Sequence, residues 1–260
     1  MKSSPRPEKI RSALAEDIKN TPLFQGVADE VIETLVPGSC ICKVDRDENL
    51  YPVRQDGTFL YVIREGYFSL RVPAHVLEWD DNFLAWRGPG QILGEFALLF
   101  SELHEGKLRE TDDFKLLGAT GKLRATEDCE LLEIEGMSFV EAASKDSNIY
   151  RNISRLLIRK MVEAGNRSEA IQLPKVKKQV IKTLLALVEE RGYRPGERKI
   201  IRGRIVQRDI AGYIGARRES VNEQFLELRK DKLIAYTKES DGEIEILNET
   251  GLRNEFEQYQ

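Results

Sequence analysis

The chain's 260 residues are 41% hydrophobic and 32% charged, the balance of a water-soluble globular protein long enough for two cores. No apolar run approaches the roughly 18 residues of a membrane-spanning helix, and the opening MKSSPRPEKIRSALAEDIKN lacks the apolar stretch of a secretory signal, so a cytoplasmic protein is expected. The net charge of −4 is unevenly held, because residues 171–240 carry 17 Lys/Arg against 9 Asp/Glu, and this basic segment on an acidic remainder suggests a polyanion-binding module joined to something else.

Taken in chain order, residues 16–36 read as short helices with apolar positions at helical spacing. From about residue 37 the period changes. YPVRQDGTFLYVIREGYFSLRV (51–72) holds a turn at Gln55-Asp56-Gly57, a β-branched and aromatic run, a second turn at Glu65-Gly66 and another strand. Further strands are expected near 82–93, 113–118 and 128–134, with a polar surface excursion at 99–112. Many short strands between glycine turns indicate an antiparallel barrel or roll. Three cysteines, Cys40, Cys42 and Cys129, and two histidines support neither a disulfide framework nor a metal site, so no cofactor is expected. In a strand, the CxC of Cys40 and Cys42 would point both thiols to one face.

From Gly136 to about Glu163 the pattern is helical, with Phe139, Ala142, Ala143, Ile149, Ile153, Leu156, Leu157 and Met161 on one apolar face. A helix of that length invites a partner along it, and Ile149, Ile153, Leu156 and Leu157 are the candidate pairing residues. Packing within one chain is the alternative. Residues 164–174 read as a linker or helix break, and 176–192 as an amphipathic helix stopped by glycine. A turn and short strand follow, then a helix near Gln207–Tyr213, a turn around Gly215, a third helix from about Arg217 to Asp231, and a hairpin over 233–248 around Asp241-Gly242. Three helices capped by a two-stranded wing make a winged helix.

The pair of helices around Gly215 has the helix-turn-helix pattern. Ile210, Ile214, Val221, Phe225 and Leu228 would lock it into a small core, leaving Arg217, Arg218, Glu219, Asn222 and Glu223 on the exposed front of the second helix. Arginine matches the guanine edge with a two-pronged fork, asparagine the adenine edge, and glutamate accepts from cytosine. Arg202, Arg204, Arg208 and Lys238 are candidate phosphate contacts. No catalytic histidine arrangement, nucleophile elbow, phosphate loop or dinucleotide glycine motif is present, so an enzyme is not expected. The rival reading is a ligand-sensing or scaffold dimer whose winged helix binds a protein.

The order of LF (22–23), VRQDGTFLYVIREGYFSL (53–70), GPGQILGEFALL (88–99), LRATEDCELLEIE (123–135) and VQRDIAGYIGARRESVNEQFLELRKDKLI (206–234) resembles the cyclic-AMP receptor protein / fumarate-nitrate regulator family over residues 20–247. The resemblance implies an α+β fold: a cyclic-nucleotide-binding-like antiparallel β-roll (1–135), a long central dimerisation helix (136–165), a winged helix-turn-helix (170–248) and a C-terminal tail (249–260). It further implies a homodimer on double-stranded DNA, with RNA polymerase as a partner in transcriptional control. Arg218 and Glu219 stand where the family has its recognition-helix Arg-Glu pair, whereas Arg217 replaces a small polar residue and Glu223 an arginine.

In the sensor pocket Gly94 and Glu95 match the family's phosphate cassette. Ala119 and Thr120 fall where an arginine and its neighbour are expected, after a loop lengthened at 101–115. Without that cation a cyclic phosphate loses its strongest partner, so control by cyclic AMP is not expected, even with Arg109 in the inserted loop. The first 39 residues hold no cysteine for the iron–sulfur branch of the family, and His75 alone is a poor haem ligand. The effector is left unassigned, with a thiol-redox role for Cys40 and Cys42 open.

Overall fold

The structure, a computed structural model, describes residues 7–50, 59–71, 83–95, 98, 122–193, 198–237 and 242–258, with side chains from Arg11 onward. The chain divides into two compact units, residues 1–70 with 86–159, and residues 71–85 with 160–260.

Helices α1 (Pro7–Lys19) and α2 (Asp29–Leu35) precede strands β1 (Ser39–Val44), β2 (Phe59–Glu65), β3 (Phe68–Arg71), β4 (Phe83–Arg87), β5 (Ile92–Leu93), β6 (Lys122–Ala125) and β7 (Cys129–Glu135), all in the first unit except Arg71 of β3 and residues 83–85 of β4, which group with the second. The described strands form an antiparallel sheet in the order β1-β7-β2-β5 and a second sheet in the order β4-β3-β6. The period of two along β2 assigns its side chains to two different cores. Leu60 and Val62 join Leu132 and Ile134 of β7 against Phe24, Phe139 and the helices, while Tyr61 and Ile63 pack with Phe68, Leu123, Ala125 and Leu131 between the sheets. A one-residue slip of register would exchange the two sets, so this arrangement is strongly specified. The antiparallel roll expected from the glycine-turn rhythm is thus present, and Cys40 and Cys42 do share a face of β1.

The helical pattern after residue 136 is two helices rather than one: α3 (Gly136–Lys145) and α4 (Ser147–Gln172). They part at Asp146, which is extended (φ −138°, ψ 109°) and whose carboxylate accepts from the backbone N–H groups of Ala28 (3.0 Å) and Asn148 (2.9 Å). These bonds hold the Asp146 carboxyl below its ordinary pKa, the Ala28 N–H contributing most. Inside α4, Asn152 donates to the carbonyls of Leu23 (3.0 Å) and Gln25 (2.8 Å), so a buried amide is satisfied and the helix is pinned to the preceding turn.

The break expected at 164–174 falls at the far end of that segment. α4 runs through Gly165, which costs about 1 kcal/mol relative to alanine, and stops only where Pro174 withholds a backbone donor. Ile149, Ile153 and Leu156, three of the four candidate pairing residues, are buried in their own protomer's core, and Leu157 is half-buried. The apolar residues that α4 leaves to solvent are instead Tyr150, Ile158, Met161, Val162 and Ile171, with Met161 72% exposed. Among the described residues no helix is long and apolar enough to cross a membrane.

The second unit contains α5 (Val176–Arg191), β8 (Gly192–Tyr193), β9 (Lys199–Ile201), α6 (Gln207–Ile214), α7 (Arg218–Lys230), β10 (Ile234–Tyr236), β11 (Ile244–Ile246) and α8 (Glu249–Glu257). The hairpin expected over 233–248 is β10 paired antiparallel with β11, but it is half of a four-stranded sheet in the order β10-β11-β9-β8. The residues expected as a C-terminal tail contain α8. Its cap is Asn248, whose side chain accepts from the Gly251 N–H (2.8 Å). Leu252 is buried, the Lys178 ammonium lies 5.2 Å from the centre of the Phe256 ring, and Lys199 pairs with Glu249.

Candidate nucleic-acid interface

The site is built around one tight turn. α6 ends at Gly215, whose φ of +69° lies in the left-handed region that glycine enters without the cost a Cβ imposes. The N–H groups of Gly215 and Ala216 both bond the Ala211 carbonyl, closing the last turn before the chain re-enters a helix at Arg218. The five residues expected to lock the pair, Ile210, Ile214, Val221, Phe225 and Leu228, are all buried. Their burial fixes which side of α7 faces outward.

Arg217, Arg218, Glu219, Asn222 and Glu223 are all exposed on or just before the first turns of α7. Arg217 occupies the cap position in extended conformation and no side chain caps the helix, so the first-turn N–H groups add their partial positive charge to the two guanidinium groups. Glu219 sits in that same favourable field. A helix front that combines a positive mouth with side-chain donors and acceptors suits base edges reached past phosphates.

The candidate phosphate contacts divide. Arg202 is exposed, its guanidinium 4.1 Å from the centre of the Tyr193 ring, and Arg208 is exposed in the first turn of α6. Arg204 is half-buried, and its Cγ would lie 2.7 Å from a Cβ placed on Gly242. Its side chain therefore packs against the turn at Gly242. Gly242 has φ +92° and its carbonyl accepts from the Ile205 N–H (3.0 Å), so the turn needs a glycine there both for conformation and for room. Lys238 lies outside the described residues.

The wing is braced against α7 by aromatic contacts. Tyr236 stacks on Phe225 with ring centres 6.4 Å apart, receives a hydrogen bond from the Gln207 amide, and lies under the Arg229 guanidinium at 5.3 Å. Burial raises the Tyr236 phenol above its ordinary pKa, so it stays protonated at neutral pH. α6 is braced too. Asp209, buried in its first turn, pairs with Arg71, and Arg167 donates to the carbonyls of Tyr213 (2.8 Å) and Phe83 (3.2 Å). Residues 71 and 83 group with this unit.

One residue of the outward face was not singled out from sequence. Leu226 is 55% exposed, four residues after Asn222 and three after Glu223. Its spacing from Asn222 was readable, but an apolar residue next to Phe225 is easily absorbed into the core stripe.

In the first unit, Gly94 follows β5 with φ +86° and its carbonyl accepts from the Leu98 N–H (3.1 Å), while Glu95 is buried. Ala119, Thr120, Arg109 and His75 lie outside the described residues. The Cys42 thiol is pushed up to about 11, chiefly by burial and then by Glu133, and Cys129 to about 12, chiefly by burial and then by Glu127. At pH 8 only about one thousandth of a thiol with a pKa near 11 is the reactive thiolate. Iodoacetamide at that pH is expected to modify exposed Cys40 well ahead of Cys42 and Cys129, followed by intact-mass spectrometry. Equal rates at all three would contradict the packing described.

Residues 178–255 match the sequence model of the Crp-like helix-turn-helix domain. No curated protein sequence matches the chain. Among solved structures it is similar to FixK2 from Bradyrhizobium japonicum (TM-score 0.61, 16% identity, covering 83% of this chain and 96% of that one). It is also similar to TTHB099, a CRP-family transcriptional regulator from Thermus thermophilus (TM-score 0.59, 20% identity, 83% and 96%). A third is the c-di-GMP-responsive global regulator CLP of Xanthomonas campestris (TM-score 0.58, 20% identity, 85% and 99%). At these identities the likeness establishes the fold.

Proposed function

The chain carries a Crp-like helix-turn-helix domain on the fold of the CRP/FNR transcriptional regulators, and from that premise we propose that it is a homodimeric regulator that binds a specific, two-fold symmetric DNA site. The observation that carries the reading is the outward face of α7, where Arg217, Arg218, Glu219, Asn222 and Glu223 stand together over a buried helix-turn-helix core. The first turns of α7 enter the major groove, Arg218 forks onto a guanine, and Asn222 and the glutamates read neighbouring bases. Arg202 and Arg208 hold phosphates, and RNA polymerase is the downstream partner.

The pairing surface is the solvent-facing side of α4. Tyr150, Ser154, Leu157, Met161, Ala164, Ser168 and Ile171 alternate four and three residues apart, the heptad spacing of a coiled-coil seam. None of them belongs to the protomer's core, and the exposed apolar residues concentrate on this side. On this reading Leu157 keeps its expected role and is joined in the seam by Met161, with Ile158 flanking it, while Ile149, Ile153 and Leu156 serve the chain's own core.

Selection of the purified protein on a randomised duplex pool tests the reading. Enrichment of a palindromic motif is expected, with binding that weakens steeply as salt rises because phosphate contacts release counterions. Absence of any enriched sequence, together with salt-independent capture, would favour the reading in which the winged helix binds a protein. Cyclic AMP is expected to leave the affinity for the selected duplex unchanged, since Ala119 stands where the phosphate-binding arginine is expected. A saturable rise in affinity on titration would overturn that reading of the sensor.

A further inference from the structure

We infer that Leu226 is a specificity-determining residue that reads the C5-methyl group of a thymine in each half-site. The inference rests on the proposed DNA-binding function. On α7 the buried positions Val221, Phe225 and Leu228 define an inward face, and Leu226 projects from the opposite side, within the column of Glu219, Asn222 and Glu223. A helical side chain leans toward the N-terminus and covers the turn before it. The Leu226 methyl groups therefore lie over the turn that carries Asn222 and Glu223. An apolar cap is thus set beside two hydrogen-bonding heads on the one surface of the domain that faces the groove.

The chemistry of the groove supplies one apolar partner. Of the four base edges in the major groove only thymine presents a methyl group; the others present donors and acceptors that a leucine would strip of water without replacing. Leu226 follows Asn222 by about 6 Å along the helix axis at 1.5 Å per residue, or roughly two base-pair steps at 3.4 Å each. The thymine is accordingly expected one or two steps from the base read by Asn222, on the side away from the mouth of the helix. A phosphate-directed role would call for a cation at this position, and the exposed cation that follows on the same face, Lys230, is four residues further on.

The test replaces each thymine of the selected duplex, one at a time, with deoxyuridine, which lacks only the methyl group, and measures binding of the full-length protein. At one thymine per half-site the loss of the methyl is expected to lower affinity about fourfold, the equivalent of burying one methyl-sized group. Leu226→Ala is expected to bind the thymine and uracil duplexes equally. Because Leu226 is exposed, the variant keeps its fold, and Leu226→Met should retain part of the thymine preference. A selected duplex that is indifferent to uracil at every position would overturn the inference alone, as would a Leu226→Ala protein that still prefers thymine. Failure to select any duplex would remove the DNA-binding reading first, and this inference with it.

Discussion

Replacing Arg218 with alanine is expected to weaken binding to the selected duplex by about 1–3 kcal/mol in each half-site, the worth of a two-pronged arginine–guanine contact. In a symmetric dimer the loss is taken twice, so affinity falls by the square of the single-site factor. The residue is exposed at the first position of α7, away from the buried Val221, Phe225 and Leu228, so the thermal midpoint should move little. The form of the loss matters more than its size. A base contact relaxes preference at one position and leaves the salt dependence unchanged, whereas a phosphate contact weakens every sequence alike and lowers the salt slope by about one. Arg208→Ala is expected to show the second behaviour. Arg218→Lys should fail nearly as badly as alanine, because an ammonium cannot reproduce the planar fork. Unchanged affinity and preference in Arg218→Ala would sink the assignment.

The elements that were legible in the sequence are those whose local chemistry and tertiary role agree. Gly215 is required by a left-handed backbone, and the apolar positions on either side of it are all buried, so turn chemistry and periodicity point to the same helix pair. The strands of the roll were legible for the same reason. Leu60 and Val62 serve one core and Tyr61 and Ile63 the other, so β2 reads as a continuous apolar run between glycine turns.

Misplacements arose where one signal had two physical causes. The apolar stripe of α4 pointed to a partner, yet Ile149, Ile153 and Leu156 find theirs within the protomer, and the solvent-facing column next to them is more mixed and harder to see. Gly165 suggested a break, but one glycine in a 26-residue helix is a cost that the neighbouring hydrogen bonds and packing offset. β8 and α8 are short and depend on tertiary partners, so no periodicity could announce them, whereas the short strand expected before Gln207 is β9. Leu226 was hidden by its neighbour Phe225, because one-dimensional spacing does not say which of two adjacent apolar residues turns outward.

Introducing glutamate at both Ile158 and Met161 is expected to convert the proposed dimer to a monomer and to abolish high-affinity DNA binding while leaving each protomer folded. Both side chains are more than half exposed in the protomer, so the substitutions leave no cavity and bury no charge within it. In a paired α4 seam the same changes would set four carboxylates against apolar surface, and desolvating unpaired charge costs far more than the seam can supply. Light scattering should report the halved mass, and circular dichroism an unchanged helical signal. The effect on DNA follows from linkage, because neither side chain belongs to the outward face of α7 that is proposed to read the duplex. Two recognition helices on one rigid dimer raise affinity by about 10²–10⁴ over a single half-site, and a monomer forfeits that gain entirely. Ile153→Ala discriminates between the two faces of the helix: Ile153 lies in the protomer's own core, so its truncation is expected to lower the thermal midpoint, with a cost of about 2–5 kcal/mol, and to leave a dimer wherever the protein remains folded. A double glutamate variant that stays dimeric would place the pairing surface elsewhere than on this face of α4.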